Sequence, residues 1–402
     1  MAKGFPSGVE RSELLSNCES ELFFSKLRAK VLAHNNVHPN EKLISLSIGD
    51  ASEPIPQIIT SVMEQFAHGL STREGFSGYT THHGPESLRT QIVEVLYKGL
   101  GVKPSDVFVS DGAKGCLARL MMMFGSAVTM AVPDPTYPVI PQMCNLFGQN
   151  VIRLSSKPDG GFFPDLSNAP RTDLIYVCSP NNPTGIAATR EQLADLVSFA
   201  RKNGSIILYD AVYAAFIADG SPKSIYEIPG ATEVAIEIGS FSKLAGFTGV
   251  RLGWVVVPDS VVFANGKPVV SDYSRVTLLV APAGASNIAQ AGGSACLTQE
   301  GIEELMKIIE YYKENARILL NAFASFGLEA HGGLNSPYIW VQIPGRSSDE
   351  VCDEWLERAH VLITPGDMFG PSGEGFLRVS AFGHREIILE AVTRLKAIYP
   401  PM

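Results

Sequence analysis

Apolar residues occur along this chain in short runs that end at polar or glycine-rich turns. In the first half of the chain, the strand-like runs cover residues 43–48, 106–110, 128–132, 174–178 and 206–209. Segments with helical spacing of apolar residues lie between them, such as residues 85–100 and 190–203. Strands that alternate with helices form a mostly parallel sheet with helices on both faces, so the pattern predicts an α/β fold.

The C-terminal part of the chain has a different pattern. Its elements are a long helical region, two strands and a final helix, at residues 287–326, 338–341, 376–380 and from about 385. Helical spacing also occurs at residues 10–36. We predict two domains, because 402 residues exceed the usual size of one core. The expected boundaries are 49–290 for a large α/β domain, and 1–48 with 291–402 for a smaller α+β domain.

Composition and charge exclude several classes of protein. A net charge of −9 argues against nucleic acid as the main partner, and no apolar run reaches the roughly 18 residues of a membrane helix. The first residues have no apolar core of a signal peptide, so secretion is not expected. Six scattered cysteines without metal-binding spacing indicate reduced core residues and no metal site. The expected location is the cytoplasm.

Polar residues follow several of the strand-like runs. Residues 112–115 form a turn between a strand and a helix, where free backbone N–H groups favour a phosphate, although a plain tight turn is equally compatible. Asn182 lies in a rigid turn, and Asp210 ends an apolar strand where it needs a buried partner. Because parallel sheets bind ligands at the carboxyl ends of their strands, we expect these residues to share one site.

The stretch at residues 240–251, SFSKLAGFTGVR, places Lys243 between two apolar runs. A lysine that is buried is costly unless its amine is paired or neutral, and a neutral amine is the nucleophile that forms Schiff bases with carbonyls. Two further residues are compatible with a flat, acidic ligand: Tyr137 could stack on a ring, and Arg378 could bind a carboxylate through two hydrogen bonds. The ordinary alternatives are that Tyr137 only covers the hydrophobic core and that Arg378 forms an ion pair at the surface.

Taken together, these residues resemble the pyridoxal-phosphate enzymes of the aspartate aminotransferase fold, also called fold type I, over nearly the whole chain. The resemblance implies the cofactor pyridoxal 5′-phosphate, bound to Lys243 as a Schiff base, with Lys243 also moving the substrate proton. It implies that Asp210 keeps the pyridine nitrogen protonated. It also implies a homodimer with shared active sites, an amino acid and a 2-oxo acid as substrates, and a ping-pong reaction.

The same resemblance implies further contacts. For the cofactor these are Asn182 and Tyr213 at the 3′-oxygen, Tyr137 on the ring, and, at the phosphate, Ala113, Lys114, Ser240, Ser242, Arg251 and Tyr79 of the neighbouring subunit. For the substrate they are Arg378 at the α-carboxylate, with Gly49 and Asn182 close by.

Several motifs are similar to those of the LL-diaminopimelate aminotransferase family, among them IGD at 48–50, SDGAK at 110–114 and CSPNNPTG at 178–185. This chain departs from that family at three places of the substrate surface, which are Leu22 in place of a tyrosine, residues 80–83 with His82 and His83 in place of a glycine-and-acid loop, and Ala283 in place of an asparagine. Loss of such hydrogen-bonding groups predicts a retained cofactor site with altered substrate choice.

We therefore expect an aminotransferase similar to the LL-diaminopimelate family with a different specificity. A pyridoxal-phosphate lyase or a β/γ-replacement enzyme of a specialised pathway is the alternative within enzymes, because fold does not fix the reaction. A non-catalytic regulator that keeps the cofactor is a third possibility. Such regulators usually carry a basic DNA-binding segment, and the residues before Ile48 are too few and too mixed in charge for one.

Overall fold

The computed structural model describes residues 10, 12–16, 23–281 and 284–399. Its helices are Glu13–Ser16 (α1), Phe23–Val37 (α2), Gln57–Gly69 (α3), Glu86–Leu96 (α4), Ala113–Phe124 (α5), Val139–Leu146 (α6), Arg190–Asn203 (α7), Phe241–Leu244 (α8), Val269–Val280 (α9), Asn287–Cys296 (α10), Gln299–Ser325 (α11), Ser348–Ala359 (α12) and Arg385–Lys396 (α13). Its strands are Ile44–Ser45 (β1), Val107–Ser110 (β2), Thr129–Asp134 (β3), Asn150–Ser155 (β4), Leu174–Cys178 (β5), Ile206–Asp210 (β6), Ala235–Ser240 (β7), Gly253–Val256 (β8), Ala330–Gly332 (β9), Tyr338–Gln342 (β10), Val361–Leu362 (β11), Thr364–Pro365 (β12) and Phe376–Ser380 (β13).

The central sheet has seven strands in the order β2-β8-β7-β6-β5-β3-β4. Strand β8 is antiparallel to both of its neighbours, and the other pairs are parallel. Apolar residues cover both faces, as strand β5 illustrates: Ile175 and Val177 belong to one buried cluster, whereas Leu174 and Tyr176 belong to the cluster on the opposite face. This alternation confirms the predicted α/β fold with helices on both sides of a mostly parallel sheet.

A four-stranded antiparallel sheet, in the order β12-β13-β10-β9, forms the second layered unit. It packs with helices α12 and α13 and the C-terminal half of α11 into a separate apolar cluster. The N-terminal residues join this unit, because Leu27 of α2 and Ile44 of β1 lie in the same cluster. Strand β1 also pairs in parallel with β11.

Helix α11 connects the two units. Its Leu305 and Tyr312 pack in the clusters of the large sheet, whereas Ala316 and Leu319 pack in the cluster of the small sheet. The change of core therefore occurs inside one continuous helix rather than at a linker. We propose to keep residues 49–290 as the large domain and 1–48 with 291–402 as the small domain, with the first half of α11 as the part that both cores share.

Some elements differ from the predictions. The helix expected over residues 287–326 is two helices, because Thr298 begins α11 as an N-cap whose side chain accepts a hydrogen bond of 3.0 Å from the Gly301 N–H. Strand β4 has half-exposed residues and was not predicted. The strand expected at residues 43–48 is reduced to β1, which has a partner over two residues only. In the parts of the chain that the structure describes, no helix has the length and apolar character needed to span a membrane.

Candidate active site

A cavity of about 520 Å³ opens at the carboxyl ends of the central strands, where it meets the small sheet. The predicted site residues that line it are Gly49, Ala113, Lys114, Tyr137, Asn182, Asp210, Tyr213, Ser240, Ser242, Lys243, Arg251 and Arg378. Most of them come from the ends of the central strands, whereas Gly49 follows β1 and Arg378 comes from strand β13 of the small sheet. The structure therefore brings the predicted strand-end residues to one cavity.

Lys243 lies in the short helix α8, directly after strand β7. Its Nζ atom donates a hydrogen bond to the carbonyl oxygen of Gly49. Burial lowers the pKa of Lys243 to about 8; Asp50 opposes this shift, and the positive charge of Arg378 adds to it. A fraction of the amine is therefore neutral near pH 7–8, as a nucleophilic lysine requires.

Asp210 ends strand β6 and is 6% exposed. Its carboxylate accepts hydrogen bonds from the Tyr176 hydroxyl at 2.8 Å and from the Val212 N–H at 3.2 Å. Burial raises the pKa of Asp210 to about 6, and these two donors oppose the shift. The buried carboxylate faces the cavity, where a positively charged partner would stabilise its ionised form.

A group of cations and hydroxyls surrounds the N-terminus of α5. Gly112 precedes the helix with φ of +109°, and a Cβ atom there would meet the guanidinium of Arg251. Arg251 Nη1 lies 3.4 Å from the Ser242 hydroxyl, and burial together with Arg251 lowers the pKa of Lys114. Free helix N–H groups beside two positive side chains make a site suited to phosphate.

Arg378 lies in the middle of strand β13 and is 3% exposed. Its Nη1 donates to Asn182 Oδ1 at 2.8 Å, and its Nη2 donates to the Ser47 carbonyl at 2.5 Å. The guanidinium also lies over the ring of Tyr338, 4.6 Å from the centroid. These contacts exclude the alternative of a surface ion pair, because the side chain is held inside the cavity wall.

Two tyrosines complete the wall. Tyr213 is buried, and its hydroxyl lies 2.9 Å from the hydroxyl of Tyr338. Tyr137 follows strand β3, and burial raises its pKa to about 12. Lys114 Nζ lies 5.8 Å from the centre of the Tyr137 ring. Both phenols are therefore neutral near pH 7 and present a flat ring or a hydroxyl to the cavity.

The structure does not bring every predicted residue to this cavity. Tyr79 is 91% exposed. His82 and His83 instead direct their Nε2 atoms to the Ser274 hydroxyl, at 2.8 and 3.2 Å. Burial lowers the pKa of His83 to about 4, so this ring is neutral. Leu22 and Ala283 lie outside the residues that the structure describes.

Among the lining residues that were not predicted from the sequence, three interact with predicted site residues. Tyr176 bonds to Asp210, Tyr338 bonds to Tyr213, and the Asp50 charge acts on Lys243. Tyr176 and Tyr338 lie inside apolar strands, where a tyrosine is equally compatible with an ordinary core position. Asp50 follows the strand-like run at 43–48 and lies in the IGD motif at 48–50, and these two signals could have identified it.

A comparison with known families decides the assignment. The family model described as "Aminotransferase class I and II" matches residues 41–395. The chain belongs to this aminotransferase family. The family is pyridoxal-phosphate-dependent, so the predicted enzyme class, cofactor and fold are confirmed.

This aminotransferase is similar to several named relatives. It is 51% identical over 407 residues to the chloroplastic LL-diaminopimelate aminotransferase of Arabidopsis thaliana. The aligned region covers 98% of this chain and 88% of the relative. It is 45% identical over 401 residues to that of Protochlamydia amoebophila, covering 96% and 97% of the two chains. The solved structure of the L,L-diaminopimelate aminotransferase from Chlamydomonas reinhardtii has 50% identity and a TM-score of 0.94, and covers 98% of this chain and 99% of that one.

The side chains of this aminotransferase fit pyridoxal phosphate. Gly112 leaves open the space beside Arg251 where a phosphate oxygen can approach the helix N-terminus, and any larger residue would close it. Asp210 offers a buried carboxylate to a protonated ring nitrogen, and Lys243 offers an amine whose pKa is already lowered. The helix N-terminus with Arg251, the Asp210 carboxylate and the Lys243 amine therefore match the three polar groups of the cofactor, which are its phosphate, its ring nitrogen and its aldehyde.

Proposed function

We propose that this aminotransferase moves an amino group between an amino acid of the LL-diaminopimelate type and a 2-oxo acid. The observation that carries the proposal is the joint lining of one cavity by Lys243, Asp210 and Arg378. A lysine with a lowered pKa, a buried carboxylate and a buried guanidinium provide a proton carrier, a partner for a cation and a site for a carboxylate.

Each residue has a separate role in this proposal. The bound cofactor supplies an electron sink that makes the substrate Cα–H acidic. Lys243 removes this proton and returns it, and Asp210 holds a proton on the ring nitrogen. Arg378 binds the α-carboxylate with its planar guanidinium, which Asn182 and the Ser47 carbonyl already orient at 2.8 and 2.5 Å.

The remaining cavity residues would hold the cofactor. The assignments are Asn182 and Tyr213 at the 3′-oxygen, Tyr137 on the ring, and Ala113, Lys114, Ser240, Ser242 and Arg251 at the phosphate. Their position in one cavity wall supports these assignments.

The substrate is the finer part of the proposal. The names of the relatives with 45–51% identity favour LL-diaminopimelate itself as the amino donor. The different specificity expected from residues 22, 80–83 and 283 stays a prediction. Within the chain His82 and His83 contact Ser274 rather than the cavity. A contact of these residues with substrate would therefore have to occur in the active site of the neighbouring subunit.

A homodimer is a second part of the proposal. Phe76 and Tyr79 are 71% and 91% exposed, and Leu279 near the end of α9 is 75% exposed. Asn287 Nδ2 donates to the Gly78 carbonyl at 2.8 Å, which fixes the loop that carries Tyr79. An ordered loop with exposed aromatic residues beside an exposed apolar helix end is typical of an interface. Tyr79 would then reach the phosphate site of the partner.

The cellular location is a third part of the proposal. The sequence favours the cytoplasm, whereas the names of the Arabidopsis and rice relatives assign those enzymes to the chloroplast. Fractionation of cells that express the full protein would decide between the two compartments.

A spectral screen tests the reaction. The purified enzyme with bound cofactor is mixed with LL-diaminopimelate, lysine, glutamate or S-adenosylmethionine, and the cofactor absorbance and the product masses are recorded. Transamination predicts conversion to the amine form of the cofactor and release of the matching 2-oxo acid. Ammonia release, or a product that keeps its amino group, would indicate the lyase or replacement alternative. An absence of conversion with every donor would contradict an aminotransferase and favour a regulator.

Mixed dimers test the shared site. The Tyr79→Ala and Lys243→Ala variants are each expected to be weak or inactive alone. Co-expressed, they form dimers in which one site combines an intact Lys243 with the intact Tyr79 of the other chain. Activity well above both parents supports the shared site. Activity no higher than the parents, with mixed dimers present by mass, would contradict it.

A further inference from the structure

A cluster of imidazoles and carboxylates lies in the small domain, separate from the cavity described above. His34 and His38 come from the end of α2 and the residue after it, and Glu357 comes from α12. One ligand atom from each of these three residues lies within 4.8 Å of the others. A third imidazole, that of His360, has its Nδ1 atom 3.3 Å from His34 Nε2.

The backbone holds these side chains in place. The His38 N–H donates to the His34 carbonyl at 2.8 Å, so the last turn of α2 keeps both rings on one face. The His360 carbonyl accepts from the Ile44 N–H at 2.9 Å in the pairing of β1 with β11. Lys30, one turn earlier in α2, contacts Asp349 of α12 at 3.0 Å. Side-chain contacts between α2 and α12 thus bring the cluster together.

Burial differs among these side chains. His34 is 5% exposed, His38 is half-buried and Glu357 is exposed, so the cluster opens to solvent on the side of the carboxylate. Both carboxylate oxygens of Glu357 lie 3.0–3.1 Å from His38 Nε2. The three ring centroids are 4.8–5.2 Å apart. Protonation of more than one of these rings would bring like charges close together, which disfavours it and leaves neutral nitrogen atoms available as ligands.

The residue His360 has a further feature. Its φ of +54° places it in the left-handed region directly after α12, where glycine or asparagine is the ordinary choice. A histidine there costs conformational energy, which the local contacts must offset. The cluster provides such contacts, since the ring meets His34 and lies 3.8 Å from a Glu41 oxygen.

We propose that His34, His38 and Glu357 bind a divalent transition cation of the Zn²⁺ class, and that His360, whose Nδ1 atom lies 3.3 Å from His34 Nε2, moves to supply the fourth ligand when the cation binds. Two imidazoles one helical turn apart, a third imidazole and a carboxylate form the nitrogen-and-oxygen set that this class prefers. None of the four lines the active-site cavity. The cation would tie the N-terminal helix α2 to α12 and stabilise the small domain rather than take part in transamination.

Metal binding to the enzyme with bound cofactor tests the proposal. The chelator-treated protein is titrated with Zn²⁺ by calorimetry, and the bound zinc per subunit is measured after dialysis. We expect one equivalent in the natural protein and a loss of at least about 10-fold in affinity in His38→Asn, because removal of a ligand weakens such sites strongly. His68→Asn, at an exposed histidine of α3 outside the cluster, is the matched control and should bind like the natural protein.

Two further measurements distinguish a ligand from a structural residue. His360→Asn keeps a residue that tolerates the left-handed conformation, so the fold should persist while zinc affinity falls. Zinc should raise the Tm of the natural protein and of His68→Asn but not that of His38→Asn, since binding to the folded state stabilises it. Unchanged stoichiometry and affinity in both His38→Asn and His360→Asn, or no zinc retained by the natural protein, would overturn the proposal.

Discussion

Two buried carboxylates on adjacent strands of the central sheet have similar electrostatics and different surroundings. Asp210 ends β6, and Glu237 lies in the middle of β7. Burial raises the pKa of Asp210 to about 6 and that of Glu237 to about 7. Asp210 lines the cavity, whereas Glu237 accepts hydrogen bonds from Tyr97, Ser224 and the Ile225 N–H inside a closed core.

The difference shows what marks a functional carboxylate here. Both groups have a perturbed pKa, so the shift alone does not separate them. Glu237 has its oxygens used by three donors at 2.6–3.0 Å, whereas Asp210 has two donors and an open side toward the cavity. The open side is what can admit a cationic ring nitrogen. Access to the cavity therefore supports the role proposed for Asp210.

The largest effect on activity is expected for Lys243, which lines the same cavity as Asp210. Lys243→Ala should lower kcat by about 10²–10⁴-fold or more, because it removes the proposed proton carrier. The cofactor absorbance should also lose the signal of its Schiff base with the protein. Lys103→Ala, at an exposed lysine, is the control. An unchanged spectrum and turnover in Lys243→Ala would refute the assignment of the whole site.

The substitution Asp210→Asn should have the next largest effect. It removes one partner of the buried charge pair proposed between Asp210 and the ring nitrogen of the cofactor, which costs about 3–5 kcal/mol, so kcat/KM should fall by about 10²-fold or more. The exposed Asp195→Asn on α7 serves as the control. If Asp210→Asn kept the activity of the natural enzyme, access to the cavity would not distinguish a functional carboxylate from a structural one.

A conservative change at Arg378 tests the carboxylate site. Arg378→Lys keeps the charge but loses the planar pair of donors, so KM for the amino acid should rise by roughly 10–100-fold, the effect of losing about 1.5–3 kcal/mol of hydrogen bonding. Steady-state kinetics measure it, with the exposed Arg171→Lys as reference. A loss confined to kcat with an unchanged KM would argue against a role in substrate binding.

The smallest effect on activity is expected at Glu237. Its pKa is about 7 when folded and 4.5 ordinarily, so the folded state binds the proton more tightly. Its contribution to stability is therefore complete below pH 4.5 and is lost as the pH rises through 7. Glu237→Gln should leave kcat within about twofold and remove this part of the pH dependence of unfolding.

Denaturant unfolding at pH 4.5 and pH 8 measures this difference, with Glu64→Gln on the exposed face of α3 as control. Equal pH dependence in Glu237→Gln and the natural protein would show that the closed carboxylate does not titrate as inferred. A large loss of activity instead would show that the core carboxylate and the cavity carboxylate are functionally linked.

Much of the fold could be predicted from the sequence because the central strands are short, apolar and followed by polar turns. Strands β5 and β6 were located to within a residue, and their ends gave Asn182 and Asp210. Helix α11 and strand β4 were harder, since a single capping residue and a half-exposed edge strand leave weak patterns. The cavity tyrosines Tyr176 and Tyr338 looked like ordinary core residues in the sequence.

The sequence by itself predicted the class of fold, because its strands and helices follow local patterns of apolar residues, and it predicted the cofactor and the role of Lys243 through the resemblance of its motifs to a known family. Only the tertiary structure decided which distant groups meet. It brings Arg378 to Asn182 across 196 residues, turns His82 and His83 toward Ser274, and places His34 beside His360 across 326 residues. Such contacts arise from the packing of separate elements, and no local pattern of polar and apolar residues encodes them.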